Sequence, residues 1–301
     1  MTTSNRNPAI KKLQCVLRSA GQHWVGDGFP VRTLFSYPHL GQALSPFLLL
    51  DYAGPMEFPP TDQRLGVGEH PHRGFETVTI VYSGEVAHRD SAGGGGHIGP
   101  GDVQWMTAAS GVVHEEFHGS AFARRGGLFQ MVQLWVNLPA RDKMTSPRYQ
   151  EILSSQIPRV HLPNGQGSVR VIAGAYTDGD GATVKGPAKT FTPIELWDLR
   201  LTLSQAFDLI VPTGYTIALV VLSGTVHVAD AEPMSAAEVG LFGQAGNVLR
   251  ITRAENATAL LLCGEPIDEP IAGSGPFVMN TDAEIRQAML DYRNGQMGHL
   301  A

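Results

Sequence analysis

Two short motifs contain most of the residues that can do chemistry in this sequence. HPHRGFET contains His70 and His72, and GVVHEEF contains His114 and Glu116. Successive side chains of a β-strand point to opposite faces, so the two residues of a His-x-His or His-x-Glu pair point to the same face. Two adjacent strands with these motifs would direct four ligand-type side chains to one point.

Three imidazoles and one carboxylate suit a divalent first-row transition metal. Nitrogen and oxygen ligands with open coordination positions are the setting of non-heme Fe(II) oxygen chemistry. Zinc binds the same ligand types and is the competing ion. Neutral imidazoles and a single carboxylate leave a divalent ion with part of its positive charge, which favours an anionic oxygen donor as substrate.

The composition is that of a folded protein with many turns. Of 301 residues, 43% are hydrophobic and 17% are charged. The 35 glycines and 20 prolines separate short segments that are rich in Val, Ile, Leu, Thr and aromatic residues. Such segments at regular spacing are typical of strands in a sandwich or barrel, so we expect an all-β fold.

Charge and hydropathy argue against two classes of partner. The net charge is −6, and no run of basic residues is longer than a pair, so we expect no direct nucleic-acid binding. No apolar stretch has the length of a signal peptide or a membrane span, so we expect a cytoplasmic protein without a membrane partner. Cys15 and Cys263 are expected to be buried free thiols.

Similar strand patterns occur twice along the chain. TVTIVYSGEV at 77–86 aligns with TIALVVLSGTV at 216–226, and GDVQWM at 101–106 aligns with AEVGLF at 237–242. A repeat of this kind predicts two similar β-domains in tandem. The expected ranges are a metal-binding N-terminal domain over 1–140, a linker over 141–160 and a metal-free C-terminal domain over 161–301.

Two helices are predicted outside the strands. The polar, proline-bounded linker is expected to contain a short helix around 147–155. The tail TDAEIRQAMLDYRNG predicts a short C-terminal helix, because Thr281 and Glu284 form a capping box and the apolar residues form one stripe. That stripe is expected to pack on a barrel.

The repeat also serves as an internal control for the metal site. The second-copy positions that match the two histidine motifs are Ile210, Pro212, Arg250 and Thr252. These residues cannot form a ligand cluster. Histidines with a purely structural role would be expected in both copies of the repeat. The asymmetry predicts one metal site, in the N-terminal domain.

Five segments resemble the pirin family, a bicupin group of the cupin superfamily. They are PFLLLDYAG at 46–54, HPHRGFETV at 70–78, GPGDVQWMTAASGVVHEE at 99–116, QLWVNLP at 133–139 and GPFVMNTDAEI at 275–285. The resemblance implies two tandem cupin (jelly-roll) β-barrels and a single Fe(II) in the N-terminal barrel. It implies that His70, His72, His114 and Glu116 are the metal ligands.

The chain departs from the usual cupin pattern. That pattern has a glutamate shortly after its His-x-His pair, where this chain has Glu76, and its last histidine near Trp105; pirins resemble this chain in using His-x-Glu instead. Glu76 shares strand parity with His70, so we expect it beside the ligands, with direct ligation as the alternative. Glu115 is expected to face the opposite side from His114. Three further histidines near turns are expected to be solvated: His88, His97 and His118.

These observations give three functional hypotheses. In the first, the protein is an Fe(II)-dependent dioxygenase that opens the ring of a flavonol such as quercetin or a similar phenol, and Glu116 accepts the substrate proton as the catalytic base. The second is a non-enzymatic regulator that senses the iron oxidation state and binds a protein partner, because some pirins are transcriptional co-regulators. The third is a metal-binding stress or storage protein. Other transition metals are alternatives to Fe(II) after purification.

Overall fold

Strands make up most of the chain in the computed structural model, which describes residues 9–19, 21–228 and 231–300. In chain order the strands are β1 (Leu13–Arg18), β2 (His23–Val25), β3 (Phe29–Ser36), β4 (Phe47–Phe58), β5 (Gly66–His72), β6 (Phe75–Ser83), β7 (Val86–Asp90), β8 (Gly95–Ile98), β9 (Val103–Thr107), β10 (Val112–His118), β11 (Gly127–Asn137), β12 (Arg148–Ile152), β13 (Arg159–His161), β14 (Gly167–Ala173), β15 (Ala175–Thr177), β16 (Thr183–Lys185), β17 (Ile194–Leu203), β18 (Phe207–Ile210), β19 (Thr216–Val228), β20 (Glu238–Phe242), β21 (Val248–Gly264), β22 (Ala272–Ser274) and β23 (Phe277–Met279). The α-helices are α1 (Tyr37–Leu40), α2 (Ser120–Arg125) and α3 (Asp282–Arg293). Single 3₁₀ turns lie at Gly41–Leu44, Ala140–Asp142, Ser154–Gln156 and Pro163–Gly165.

The described chain forms two compact units, each built around one copy of the repeat. The first-repeat unit contains residues 19–157, 187–192 and 267–300, and the second-repeat unit contains 9–18, 158–186 and 193–266. Neither unit is continuous along the chain. The domain ranges expected from the sequence stay a prediction, because contacts in the folded chain do not test which segments fold alone.

The two units have the same strand order in their large sheets. In the first-repeat unit the order is β12-β9-β6-β11-β4-β3-β2, and in the second-repeat unit it is β1-β20-β19-β21-β17-β14-β13, with β18 also on β21. The aligned strands β6 and β19 therefore occupy the same place in each order, as do β9 and β20. This correspondence confirms the internal repeat.

A second sheet completes the first-repeat unit and holds the two histidine motifs. Its order is β5-β10-β7-β8, and all of its pairs are antiparallel. An apolar cluster that includes Phe29, Val81, Val86 and Phe129 fills the unit's interior. The polar residues described below lie beside this cluster, on strands whose inward positions alternate with outward ones.

The segment expected to contain a short helix forms a strand instead. No α-helix forms at 147–155: β12 pairs there with β9, and Tyr149 packs on the apolar cluster around Met106. Pairing satisfies the edge of β9, whereas a helix of that length has little stability of its own. The glycine-rich tract after Asp90 also contains a strand, β8, which pairs with β7.

The C-terminal helix α3 forms as predicted. The side chain of Thr281 accepts a hydrogen bond from the N–H of Glu284, which is the predicted cap. Ile285 and Ala288 of the apolar stripe are buried in a cluster with Val113 of β10. The helix therefore packs on the sheet that holds the histidine motifs.

Two further expectations concern the cysteines and the membrane. Both cysteines are free, but only Cys263 is buried; Cys15 is exposed on β1, so the expectation that both are buried was wrong for it. Among the described residues, no helix is long and apolar enough to span a membrane.

Candidate metal centre

Strand pairing brings the two histidine motifs side by side. β5 pairs with β10 so that His70 lies opposite His114 and His72 lies opposite Val112. The ring centroids of the three histidines are 4.2 to 4.9 Å apart. A register shift between His114 and Glu116 interrupts the pairing with β5, as in a β-bulge.

The residues predicted as ligands fall into two overlapping groups. In one group, ligand atoms of His70, His72 and His114 lie within 4.8 Å of one another. In the other group, His114 and Glu116 lie within that distance of each other and of His88. His114 therefore belongs to both groups, and Glu116 approaches the imidazoles from the side of His88. Among the described residues no such group occurs in the second-repeat unit.

Burial keeps the central imidazoles neutral. Burial, and next the neighbouring His70, lower the pKa of His72 to about 3, although a hydrogen bond to the carbonyl of Pro276 acts the other way. Burial also holds the pKa of His114 well below its ordinary value, and His72 and His70 add to the effect. Neutral imidazole is the form that binds a metal.

Hydrogen bonds set which ring nitrogen of two histidines is free. Nδ1 of His70 lies 2.8 Å from the carbonyl oxygen of Gly68, and Nδ1 of His72 lies 3.3 Å from that of Pro276. A carbonyl only accepts, so both Nδ1 atoms donate, and Nε2 is the atom of each ring that remains for a metal. Nε2 of His114 is buried and has no hydrogen-bond partner within the described chain.

Side chains of the large sheet surround Glu116. Gln104 and Gln133 donate their Nε2 atoms to Oε1 and Oε2 of Glu116, each over 2.8 Å. The hydroxyl of Thr79 donates to Oε1 over 3.4 Å. These donors occupy three of the roughly four positions at which a carboxylate accepts hydrogen bonds, so one is left for a metal ion or a proton.

A small cavity opens beside His70 and Glu116. Asp51 and Gln133 supply polar groups to its wall, and the other lining residues are apolar: Val25, Phe29, Val31, Val67 and Met131. The hydroxyl of Thr33 donates to Asp51 over 2.5 Å. Burial raises the pKa of Asp51, although this hydrogen bond and His23 act in the opposite direction.

Comparisons with known proteins identify the family of this chain. The family model described as pirin matches residues 28–136, and the pirin C-terminal cupin domain matches residues 196–298. The chain belongs to the pirin family. Both the resemblance stated above and the expected fold, two cupin barrels with a short C-terminal helix, are thereby confirmed.

Individual pirin relatives carry two kinds of name. A Pseudomonas aeruginosa protein named "Putative quercetin 2,3-dioxygenase" is 55% identical over 95% of this chain and 98% of its own length. Human pirin is 36% identical over 91% of this chain and 89% of its own. The crystal structure of a quercetin 2,3-dioxygenase from Acinetobacter baumannii is 52% identical, has a TM-score of 0.93 and covers 97% of this chain and 100% of its own.

The residues present in this pirin fit a divalent transition metal. Three imidazoles converge, burial keeps those of His72 and His114 neutral, and the carboxylate of Glu116 lies within ligand distance of His114. The buried Nε2 of His114 has no other partner among the described residues. A buried polar atom without a partner is costly, and metal ligation would remove that cost. Nitrogen ligands with one carboxylate suit iron, and they also suit zinc and nickel.

His88 is the site residue that sequence reasoning missed. Its side chain is fully buried; Nε2 lies 3.1 Å from Oδ2 of Asp90, and Nδ1 lies 3.2 Å from Nδ1 of His114. His88 lies on β7, directly opposite Glu116 of β10. This strand pairing was not evident from the sequence, because a glycine-rich tract follows β7. The pattern AHRD, with His88 and Asp90 on one strand face, was the available signal.

The two other histidines expected to be solvated differ. His118 is buried; its Nε2 hydrogen-bonds the carbonyl oxygen of Gly28, and its ring packs on Phe58 and Phe129, so that expectation was wrong. His97 keeps about half of its side chain exposed and pairs with Glu85.

Glu76 lies away from the ligands, contrary to expectation. Strand alternation does not continue from His72, because β5 ends there and Gly74 turns the chain with a φ of 89° before β6. Glu76 instead accepts a hydrogen bond from Thr107 over 2.7 Å and pairs with Arg148. Glu115 faces away from the site, as expected, and pairs with Arg64 and Arg89.

Proposed function

We propose that this chain is a metal-dependent dioxygenase that opens the ring of a flavonol such as quercetin, or of a similar enolic phenol, with Fe(II) as its native ion. The observation that carries the proposal is the convergence of three imidazoles, one of which, His114, also lies within ligand distance of the carboxylate of Glu116. The names of relatives at 55% and 52% identity support the substrate class.

The ion would be held by His70, His72, His114 and Glu116. Fe(II) in such a site supplies the one-electron chemistry through which dioxygen reacts with an organic substrate. Every other role falls to side chains of this protein. They position the substrate, exclude water and take up its proton.

Glu116 is the residue proposed to accept a proton from the substrate hydroxyl. Three donors occupy most of its acceptor positions, so metal ligation and proton uptake share the position that remains. An ionised phenol is a better metal ligand and a better electron donor than the neutral form. Proton transfer to Glu116 would therefore make Glu116 a weaker metal ligand and the ionised substrate a stronger one.

The cavity limits what can reach the site. Its free space is about 30 Å³, which holds about two water molecules. Dioxygen fits this space, whereas a flavonol is larger than it and needs lining side chains to move. Inside, Asp51 offers a hydrogen-bonding group to a substrate hydroxyl, and Phe29 and Met131 offer apolar contacts.

An experiment on metal content and oxygen uptake tests the proposal. Protein from iron-replete cells is analysed for metals and then assayed with quercetin in an oxygen electrode. We expect one iron per chain and oxygen consumption that requires quercetin, with both lost in His72→Ala and retained in His97→Ala. His97 is the matched control, because it lies outside both ligand groups. Oxygen consumption by His72→Ala equal to that of the unchanged protein would overturn the proposal.

A regulatory role is the second candidate, and the narrow cavity favours it. A site with room for only a few small molecules suits a centre that responds to the oxidation state of iron while the protein binds a protein partner. Human pirin, at 36% identity, does not carry an enzyme name. If the iron-loaded protein consumes no oxygen with any flavonol, this candidate takes the lead.

A further inference from the structure

Three buried side chains lie in a row behind the ligand cluster. Oδ2 of Asp90 lies 3.1 Å from Nε2 of His88, and Nδ1 of His88 lies 3.2 Å from Nδ1 of His114. At the end of the row, Nε2 of His114 has no hydrogen-bond partner among the described residues. The row therefore leads from a carboxylate to a histidine that is grouped with His70 and His72 and whose Nε2 is unpartnered among the described residues.

The direction of each hydrogen bond in the row follows from chemistry. A carboxylate only accepts, so Nε2 of His88 carries the proton that it donates to Asp90. An imidazole with a single proton, carried on Nε2, accepts at Nδ1; with His88 in this form, the hydrogen between the two Nδ1 atoms belongs to His114. Neutral His114 consequently has a free lone pair on Nε2.

We infer that His88 and Asp90 are positioning residues that hold His114 in the tautomer with its proton on Nδ1, so that Nε2 is free to bind the metal. The inference rests on the proposed function only in assuming that the cluster binds a metal. A hydrogen bond to the second ring nitrogen of a metal-binding histidine fixes its tautomer and orientation. Tyr149 stacks on the His88 ring, 5.0 Å between centroids and 9° between planes, and holds the ring in place.

The row distinguishes His114 from the other two histidines. Nδ1 of His70 and of His72 face backbone carbonyl oxygens, which can only accept. Nδ1 of His114 faces an imidazole, which can accept or donate. The tautomer of His114 therefore depends on Asp90 at the far end of the row, and a mutation there can reverse it.

Asp90→Asn is the decisive variant, because it reverses the row without removing the turn. Oδ1 of Asp90 accepts the N–H groups of Ala92 and Gly94, and the amide oxygen of asparagine can keep both bonds. The amide nitrogen then takes the place of Oδ2 and donates to Nε2 of His88. His88 must donate from Nδ1, so His114 is left with its proton on Nε2, where it blocks ligation.

Two measurements follow the reversal. Nitrogen-15 NMR of the metal-free protein with labelled histidine should show His114 as the Nδ1–H tautomer and, in Asp90→Asn, as the Nε2–H tautomer. The Kd for Zn²⁺, measured by competition with a chelator, should rise about 10- to 100-fold in Asp90→Asn. A purely structural role for Asp90 predicts the opposite, since Asp90→Asn preserves the turn and would bind Zn²⁺ normally.

His88 also lies within ligand distance of His114 and Glu116, so it could bind the metal directly. A conservative replacement separates that role from the relay, by which we mean the hydrogen-bonded row from Asp90 through His88 to His114. His88→Asn can place an amide oxygen near the position of Nδ1 and still accept from His114, whereas His88→Leu cannot. The relay predicts a Zn²⁺ affinity within about threefold of the unchanged protein for His88→Asn and a clear loss for His88→Leu. Equal loss in both variants would overturn it.

Failure of the relay and failure of the metal site give different results. If His114 stays the Nδ1–H tautomer in Asp90→Asn, the relay is wrong whether or not Zn²⁺ binds. If the unchanged protein shows the expected tautomers but binds neither Zn²⁺ nor iron, the relay stands and the proposed function fails.

Discussion

Gln104 donates its side-chain N–H to Oε1 of Glu116 over 2.8 Å, which connects the two sheets of the first-repeat unit. Gln104, Thr79 and Gln133 form one row of directly paired residues across the large sheet, and each donates to Glu116. The hydroxyl of Tyr149 donates to the amide oxygen of Gln104 and so directs the amide nitrogen toward the carboxylate. The large sheet therefore positions a residue of the small one.

Replacing Gln104 by leucine should destabilise the metal-free protein. The change removes a hydrogen bond to a buried charge, which is worth about 1.5 to 3 kcal/mol. Tyr149→Phe removes only the bond that orients the amide, so its cost should be smaller, about 1 kcal/mol. Denaturant unfolding of both variants checks the order. A larger cost for Tyr149→Phe would contradict this order, because phenylalanine keeps the ring that stacks on His88 and lacks only the hydroxyl that donates to Gln104.

Thr281→Ala should cost about 1 kcal/mol of unfolding free energy, because it removes the cap of α3. The structure shows the cap itself: Thr281 accepts from the N–H of Glu284. The carboxylate of Glu284 accepts from the hydroxyl of Thr281 and from the N–H of Asn280, the residue before the cap. Metal content should not change, although α3 packs on Val113 beside His114. Loss of metal from this variant would show that the helix supports the site directly.

The sequence predicted those features that depend on local patterns. Strand alternation was sufficient to place His70 and His72 on one face and to turn Glu115 away. The capping box of α3 is likewise local. The internal repeat predicted two similar barrels, because equal strand patterns at equal spacing fold in the same order.

Features that depend on pairing across the fold were not predictable. His88 lies in the site because β7 pairs with β10. The glycine-rich tract that follows β7 has no periodic pattern from which this pairing could be predicted. Alternation failed for Glu76, because Gly74 turns the chain between β5 and β6. The row from Thr79 to Gln133 belongs to three strands that are far apart in sequence, so register alone creates it.

The pH dependence of stability should contain a contribution from Glu76. Burial raises its pKa to about 7 from an ordinary value of 4.5, although Thr107, Trp105 and Arg148 act in the opposite direction. The folded protein thus keeps this proton to a higher pH than the unfolded chain. The resulting stability is fully present below the unfolded pKa and is lost as the pH rises through 7.

Glu76→Gln should remove this dependence, since glutamine does not ionise. Between pH 5 and pH 8 the unchanged protein should lose about 2 to 3 kcal/mol more than the variant. Urea unfolding at several pH values measures the difference. Glu115→Gln is the control of opposite sign: hydrogen bonds from Arg89 and Arg64 outweigh burial and lower the pKa of Glu115, so its contribution is lost as the pH falls. Parallel curves for Glu76→Gln and the unchanged protein would contradict the assignment.

Glu116→Gln tests the residue that is proposed both to bind the metal and to accept the substrate proton. Glutamine keeps the shape of the side chain but removes its charge and most of its basicity. Its amide nitrogen would also face Gln104 or Gln133, which are both donors, so one of these amides must rotate. We expect the variant to retain part of its iron and to lose at least about 100-fold in turnover with quercetin, the lower end for removal of a general base.

Glu115→Gln is the matched comparison, one residue away on the opposite face of β10. Its carboxylate pairs with Arg64 and Arg89, whose side chains are 66% and 49% exposed, so its loss should change stability slightly and leave iron content and turnover unchanged. Iron content and quercetin-dependent oxygen uptake are measured on both variants side by side. Inactivity of Glu115→Gln with full activity of Glu116→Gln would place the catalytic face of β10 on the other side. Equal turnover in both would mean that the substrate loses its proton without help from Glu116, and that this carboxylate serves only to hold the metal.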